Sequence, residues 1–325
     1  MPIGTLAALP SVALIIRCFN EERHIGRLLA GAIRQTVPPD EIIVVDSGST
    51  DATLPIAAEF GVTALSIAPH EFSFGRALNL GLGAARGHDI CVFASAHVYP
   101  LYDSWLEHLV AALDDDEVAL AYGRQQAPPG GRYSEARLLS HWFPAVSAAR
   151  QRDPFCNNAN AAVRRDVWEQ LRYDEKLTGL EDLDWAKRAM ARGLAISYVA
   201  EAPVVHVHDE SVAQIVNRYR REAVAHKQIY AEQRMGMPEV LGLAAINIIG
   251  DLRAAASERV LTRNAGDIVR FRAAQFYGTH RGFSQAGPVP EALRRRFYYP
   301  AAKPDPASTS GVQGRLLEYE GAEAR

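Results

Sequence analysis

The sequence predicts an α/β fold: a mostly parallel, twisted sheet flanked by helices, with a helical extension toward the C-terminus. Three observations predict it. Short, continuous apolar runs recur early in the chain, helically spaced apolar residues fill the intervals, and several runs end in polar clusters.

Val12 to Ile16 is the first run, reading as a strand buried on both faces. Ile25, Leu28, Leu29 and Ile33 then follow at helical spacing until Pro38-Pro39 ends the helix. Glu41 to Asp46 reads as a second strand, Ser49-Thr50-Asp51 as the cap of a helix through Phe60, and Val62 to Ile67 as a third strand. A helix from Gly75 to Ala85 leads into a fourth strand, Asp89 to Ala94. Trp105, Leu106, Leu109, Val110 and Leu113 mark the next helix, and Val118 to Tyr122 a fifth strand. The Gly- and Pro-rich loop Ala127 to Gly131 opens an irregular stretch, where variable chemistry is expected. Helix Glu181 to Ala191, strands at Ala195 to Val199 and Pro203 to His208, and a helix from Ser211 come next. The implied units are a domain over 10–232 with halves meeting near residue 125, a helical extension over 233–299, and a mobile tail over 300–325.

With 325 residues, 48% hydrophobic and 22% charged, the chain has enough apolar side chains for a sizeable core, which excludes disordered and fibrous classes. Lys and Arg number 35 against 38 Asp and Glu, a net charge of −3, so no nucleic-acid partner is expected. Cys18, Cys91 and Cys156 lie far apart without CxxC spacing, which argues against disulfides and thiolate metal sites. Met1 to Pro10 lacks a signal-peptide pattern. Val240 to Ile249 is interrupted by Asn247 and falls short of the about 20 residues of a spanning helix. A cytoplasmic protein is the expectation.

Open parallel sheets bind ligands beyond the carboxyl ends of their strands. Those positions hold Arg17-Cys18-Phe19-Asn20-Glu21, Asp46-Ser47-Gly48-Ser49-Thr50-Asp51 and Ser95-Ala96-His97. No glycine fingerprint follows the first strand and no Walker A sequence occurs, so dinucleotide and P-loop readings fall.

The run Val12 to Glu22, followed one unit later by Ile43 to Thr53, resembles the opening of family 2 glycosyltransferases, inverting enzymes of the GT-A fold. Asn158 to Arg165, Tyr173-Asp174-Glu175 and Glu181-Asp182-Leu183-Asp184-Trp185 are similar to that family's acceptor-side order. The resemblance extends from the first strand to the Ser211 helix. It implies a Rossmann-like nucleotide half over 10–125, an acceptor half over 126–232, a nucleotide-sugar donor, and a glycan or lipid-linked acceptor in cell-surface polysaccharide synthesis. Arg17, Phe19, Glu21, Asp46 and Ser47 would then frame the nucleotide, with Arg76 and Ser95 nearby. Phe19 either stacks on the base or belongs to the core, and Arg76 either binds an anion or is a plain surface residue. Asp182 matches the family's base, which deprotonates the acceptor hydroxyl; Glu181 orients it, and Asn158, Asn160 and Trp185 face the acceptor.

One departure stands out. Where the family carries Asp-x-Asp for a divalent cation, this chain has Ser95-Ala96-His97, which weakens a hard Mg²⁺ site and keeps a ligand for a softer ion such as Mn²⁺. His206 and His208, at i and i+2, are candidate partners for His97. Arg218 and Arg221, sharing a helix face, are candidates for the diphosphate. The C-terminal helices either pack on the domain, which is the default, or lie on a membrane surface; peripheral contact at the inner face is what the resemblance implies, not what these helices show. Rival readings are a catalytically inactive nucleotide-sugar-binding protein and a hydrolase with metal on the three histidines.

Overall fold

The computed structural model describes residues 10–285 and 314–319. The expectations for Met1 to Leu9, for 286–299 of the extension and for most of the 300–325 tail fall outside the described residues.

Among the described residues, eight strands form one sheet: β1 (Val12–Cys18), β2 (Glu41–Asp46), β3 (Thr63–Ser66), β4 (Ile90–Ser95), β5 (Val98–Pro100), β6 (Val118–Gln126), β7 (Asn160–Arg164) and β8 (Ala195–His206). Their order is β3-β2-β1-β4-β7-β6-β8-β5. Alternation along β1 divides its side chains between two cores. Ala13 and Ile15 face one, with Leu78, Leu82, Trp168 and Trp185; Leu14 and Ile16 face the other, with Leu28, Leu29, Trp105 and Leu109. The helices α1 (Ile25–Ala32) and α4 (Trp105–Ala111) cover the second face. The helices α3 (Phe74–Ala84), α6 (Arg165–Gln170) and α7 (Glu181–Met190) cover the first.

The sheet is mixed. β7 pairs antiparallel with both β4 and β6, and β5 pairs antiparallel with β8. The two strands expected at Ala195–Val199 and Pro203–His208 are one strand, β8. The β6–β8 register slips between Gly123 and Gln125, where Pro203, lacking an N–H, is accommodated. The helix expected from Ser49-Thr50-Asp51 starts later, as α2 (Thr53–Ala58), with the Asp51 carboxylate accepting from Thr53 N at 3.0 Å. The irregular stretch contains a helix, α5 (Tyr133–Trp142).

Three helices pack beside the sheet: α8 (Val212–Ile229), α9 (Met237–Ser257) and α10 (Leu261–Phe283). Gly278 and Gly282 let α10 approach α8 closely, since a Cβ on either would collide with the backbone oxygens of Val216 and Arg220. Buried Asp251 of α9 pairs with Arg272 of α10 at 2.8 Å and Arg137 of α5 at 2.9 Å, and accepts from Ser134 Oγ at 2.6 Å. By length and composition α9 is able to cross a membrane, a correction to the ten-residue estimate for Val240–Ile249. Residues 314–319 correct the expectation of a mobile tail. Leu317 N donates to Leu101 O at 2.9 Å, and Tyr319 donates to Pro100 O at 2.5 Å while its ring meets Tyr99.

Candidate active site

A cavity of about 840 Å³ opens where the loops after β1, β4 and β8 meet α5, α7 and α8. The β1 and β2 loops are tied together before they reach it. Gly48, at φ +97°, turns the chain so that Gly48 N and Ser49 N both donate to Asp46 Oδ2 at 3.0 Å, and Ser49 Oγ donates to Oδ1 at 2.5 Å. Asn20 N donates to Ser49 Oγ at 2.8 Å, and Thr50 N to Asn20 Oδ1 at 2.8 Å.

Asp46 is therefore a loop builder, 3% exposed with both oxygens engaged, and neither it nor Ser47 lines the cavity as expected of nucleotide contacts. Phe19, Glu21 and Ser95 do line it. Phe19 is 53% exposed, so of its two readings the core one fails. Arg76 pairs with Glu71 at 3.2 Å away from the cavity wall, which corrects its nucleotide assignment to a surface residue.

Register builds the histidine cluster. Val98 of β5 lies opposite His206 of β8, and Val207 N donates to His97 O at 3.0 Å, so His97 comes beside the i, i+2 pair. The rings of His206 and His208 are 4.0 Å apart and that of His97 5.0 Å from His206; their ligand atoms lie within 4.8 Å of one another. Each Nδ1 meets an oxygen: His97 that of Glu21 at 2.6 Å, His206 that of Gln125 at 2.6 Å, His208 that of Glu135 at 2.7 Å. His206 Nε2 is buried without a partner, a donor set that fits a divalent cation. Burial, and then the neighbouring charges, hold His206 and His208 well below the usual histidine range, which leaves them neutral with lone pairs to give.

Glu181 and Asp182 open α7 and line the same cavity. The residue before them, Leu180, sits in the left-handed region at φ 54°, uncommon for a bulky side chain. Asp182 accepts from Leu183 N at 2.8 Å and Asn158 N at 3.3 Å. Burial, and then the charge of Glu181, push its carboxyl up to about 7.

The acceptor assignments need correction. Trp185 is fully buried, its indole donating to Leu171 O, because α7 turns that side chain into the sheet core. Asn160 is a core brace: its Oδ1 accepts from Trp105 Nε1 at 2.8 Å, and its Nδ2 donates to Arg124 O and Ala202 O. Asn158 lies buried beneath Asp182 and contributes its backbone N–H.

Arg218 and Arg221 both line the cavity, but differently. Arg218 pairs with Glu135 and Glu210, each at 2.8 Å, which removes it from the expected diphosphate role. Arg221 is exposed and stacks on Phe74 at 4.7 Å, while Arg17 lies over the same ring at 5.2 Å. Phe74, Gln125 and Glu135 escaped the sequence reading. Only the acidic first turn of α5 hints at Glu135, and nothing in the pattern marks the other two.

The open, mixed sheet flanked by helices, with its cavity beyond the ends of β1, β4 and β8, is that of a GT-A fold. Solved structures of similar fold include a mannosyltransferase of Pyrobaculum calidifontis in complex with GDP-Man and Mn²⁺ (TM-score 0.59, 18% identity, 85% of this chain and 88% of that one). S. aureus TarS in complex with UDP is another (TM-score 0.51, 18% identity, 83% and 89%). In sequence, the chain is 26% identical over 226 residues to the O-antigen chain rhamnosyltransferase RfbN of Salmonella typhimurium, covering 66% of this chain and 72% of the relative. It is 29% identical over 231 residues to WbaN of Salmonella anatum, also an O-antigen chain rhamnosyltransferase (67% and 73%). The profile of glycosyl transferase family 2 matches residues 13–172. The chain is an inverting glycosyltransferase that carries the profile of that family over just under half of its length.

Proposed function

We propose that the enzyme transfers a sugar from a nucleoside-diphosphate donor to a hydroxyl of a surface polysaccharide under assembly, on a lipid-borne acceptor. The observation that carries this reading is the shared cavity, which presents Asp182 and the three histidines together. Asp182, once ionised, accepts the acceptor's proton as the oxygen forms its bond to the anomeric carbon. The bond to the diphosphate breaks on the opposite side, which inverts the centre. His97, His206 and His208 would hold a divalent cation, whose chemistry is neutralisation of the departing diphosphate. Three nitrogen donors suit Mn²⁺ better than Mg²⁺. Arg221 adds a second positive charge, held by Phe74 rather than by a carboxylate. Phe19, at the cavity mouth, offers a face to the base. The two rhamnosyltransferase relatives make a 6-deoxyhexose the first donor sugar to try.

The exposed face of α9 supports peripheral membrane contact. Leu241, Ile246 and Ile249 point outward, with exposed Arg253 on the same helix and Arg270 and Tyr277 on α10.

Calorimetric binding of UDP, dTDP, GDP and CMP, each with and without Mn²⁺, tests the donor site. One nucleotide should bind with Mn²⁺ and lose that dependence in His97→Ala. Absence of binding by every nucleotide overturns the reading.

A further inference from the structure

Three imidazoles bring no charge to balance a divalent cation, and among the described residues no carboxylate belongs to the ligating set. Carboxylates stand instead behind the rings. Glu21 lies 2.6 Å from His97 Nδ1 and Glu135 2.7 Å from His208 Nδ1. Together they carry two negative charges, the complement of a divalent ion, while Arg218 and Glu210 offset each other.

Glu135 has the more constrained position. Its side chain is 8% exposed, and one oxygen, Oε1, meets both His208 Nδ1 and Arg218 Nη2, the latter at 2.8 Å. An ionised carboxylate only accepts hydrogen bonds, so the proton of His208 must sit on Nδ1 and the lone pair on Nε2. Arg218 in turn fixes the carboxylate, bridging α8 to α5. We infer that Glu135 is a positioning residue of the cation site, orienting His208 and returning the negative charge that the missing Asp-x-Asp carboxylates would have brought. The inference rests on the cation reading of the histidine cluster. A carboxylate behind a ligating histidine raises the basicity of the ring and sets its direction, and its loss commonly weakens metal affinity by about 10–100-fold.

The test is Mn²⁺ titration, by calorimetry or by the loss of the free-ion paramagnetic resonance signal, on the full chain. Wild type, Glu135→Gln, Glu135→Ala and His206→Ala are compared, with thermal melts to report folding. The expected result is Mn²⁺ binding by wild type, loss in His206→Ala, an affinity about 10–100-fold lower in Glu135→Ala, and an intermediate value in Glu135→Gln, which keeps an acceptor oxygen without the charge. Should the alanine variant fail to fold, the glutamine variant carries the comparison, since it preserves shape. Wild-type affinity in a folded Glu135 variant, with binding abolished in His206→Ala, overturns the inference while leaving the cation site standing. Wild type that fails to bind Mn²⁺, or binding untouched by His206→Ala, overturns both.

Discussion

Arg17 and Glu181, 164 residues apart in the chain, meet at 3.0 Å with side chains 11% and 6% exposed. The pair joins the loop after β1 to the first turn of α7. It also sets the charge beside Asp182, because Arg17 draws the Asp182 carboxyl down while Glu181 pushes it up.

Replacing Arg17 with Met therefore leaves Glu181 buried and uncompensated. A stability loss of about 3 kcal/mol is expected in urea denaturation. Where the variant remains folded, the acid limb of kcat/KM should move to higher pH. An unmoved limb would mean that Arg17 does not act on Asp182.

Asp182 itself should govern the pH dependence. Activity is expected to rise as pH increases through about 7, the value to which burial and Glu181 push the carboxyl, because the base acts ionised. Asp182→Asn should lower kcat by about 100-fold or more. Stability runs the other way. The folded carboxyl holds its proton more tightly than the unfolded one, so a contribution present below the unfolded value is lost as pH rises toward 7. Melting curves should show Asp182→Asn more stable than wild type at pH 8, with the gain shrinking toward pH 4.

Asn160 separates a core role from an acceptor role. Asn160→Ala strands Trp105 Nε1, Arg124 O and Ala202 O, all of which it bonds. A loss of about 2–3 kcal/mol is expected. A stable variant with only a raised acceptor KM would restore the acceptor reading.

Membrane contact is checked by sedimentation with vesicles. Wild type should pellet with anionic vesicles and less with neutral ones, and Leu241→Asp combined with Ile246→Asp should abolish this while leaving nucleotide binding intact. Equal pelleting by the double variant would dismiss α9 as the contact.

The strands buried on both faces were legible because β1, β2 and β4 are continuous apolar runs, and the imidazole pair because strand geometry places i and i+2 together. β7 was not legible. Its sequence, Asn-Ala-Ala-Val-Arg, has little apolar bulk and becomes a central strand through pairing with β4 and β6. α5 hid for a related reason, since its buried residues are Ser134, Glu135 and Leu139. Position after a strand also misled: Asp46 stands where a ligand contact belongs, yet Gly48 and Ser49 fold back onto its carboxylate. A side chain's direction at a strand end depends on the turn that follows, which hydrophobic periodicity does not encode.

The pairing of β5 with β8 orders the birth of the enzyme on the ribosome. The loops after β1 and β2 can form early, but His97 waits at the sheet edge until the end of β8, with His206, has been synthesised. A nascent chain thus has its β1 and β2 loops before its three histidines can meet, and the candidate cation site is complete only once residues 206–208 have been made.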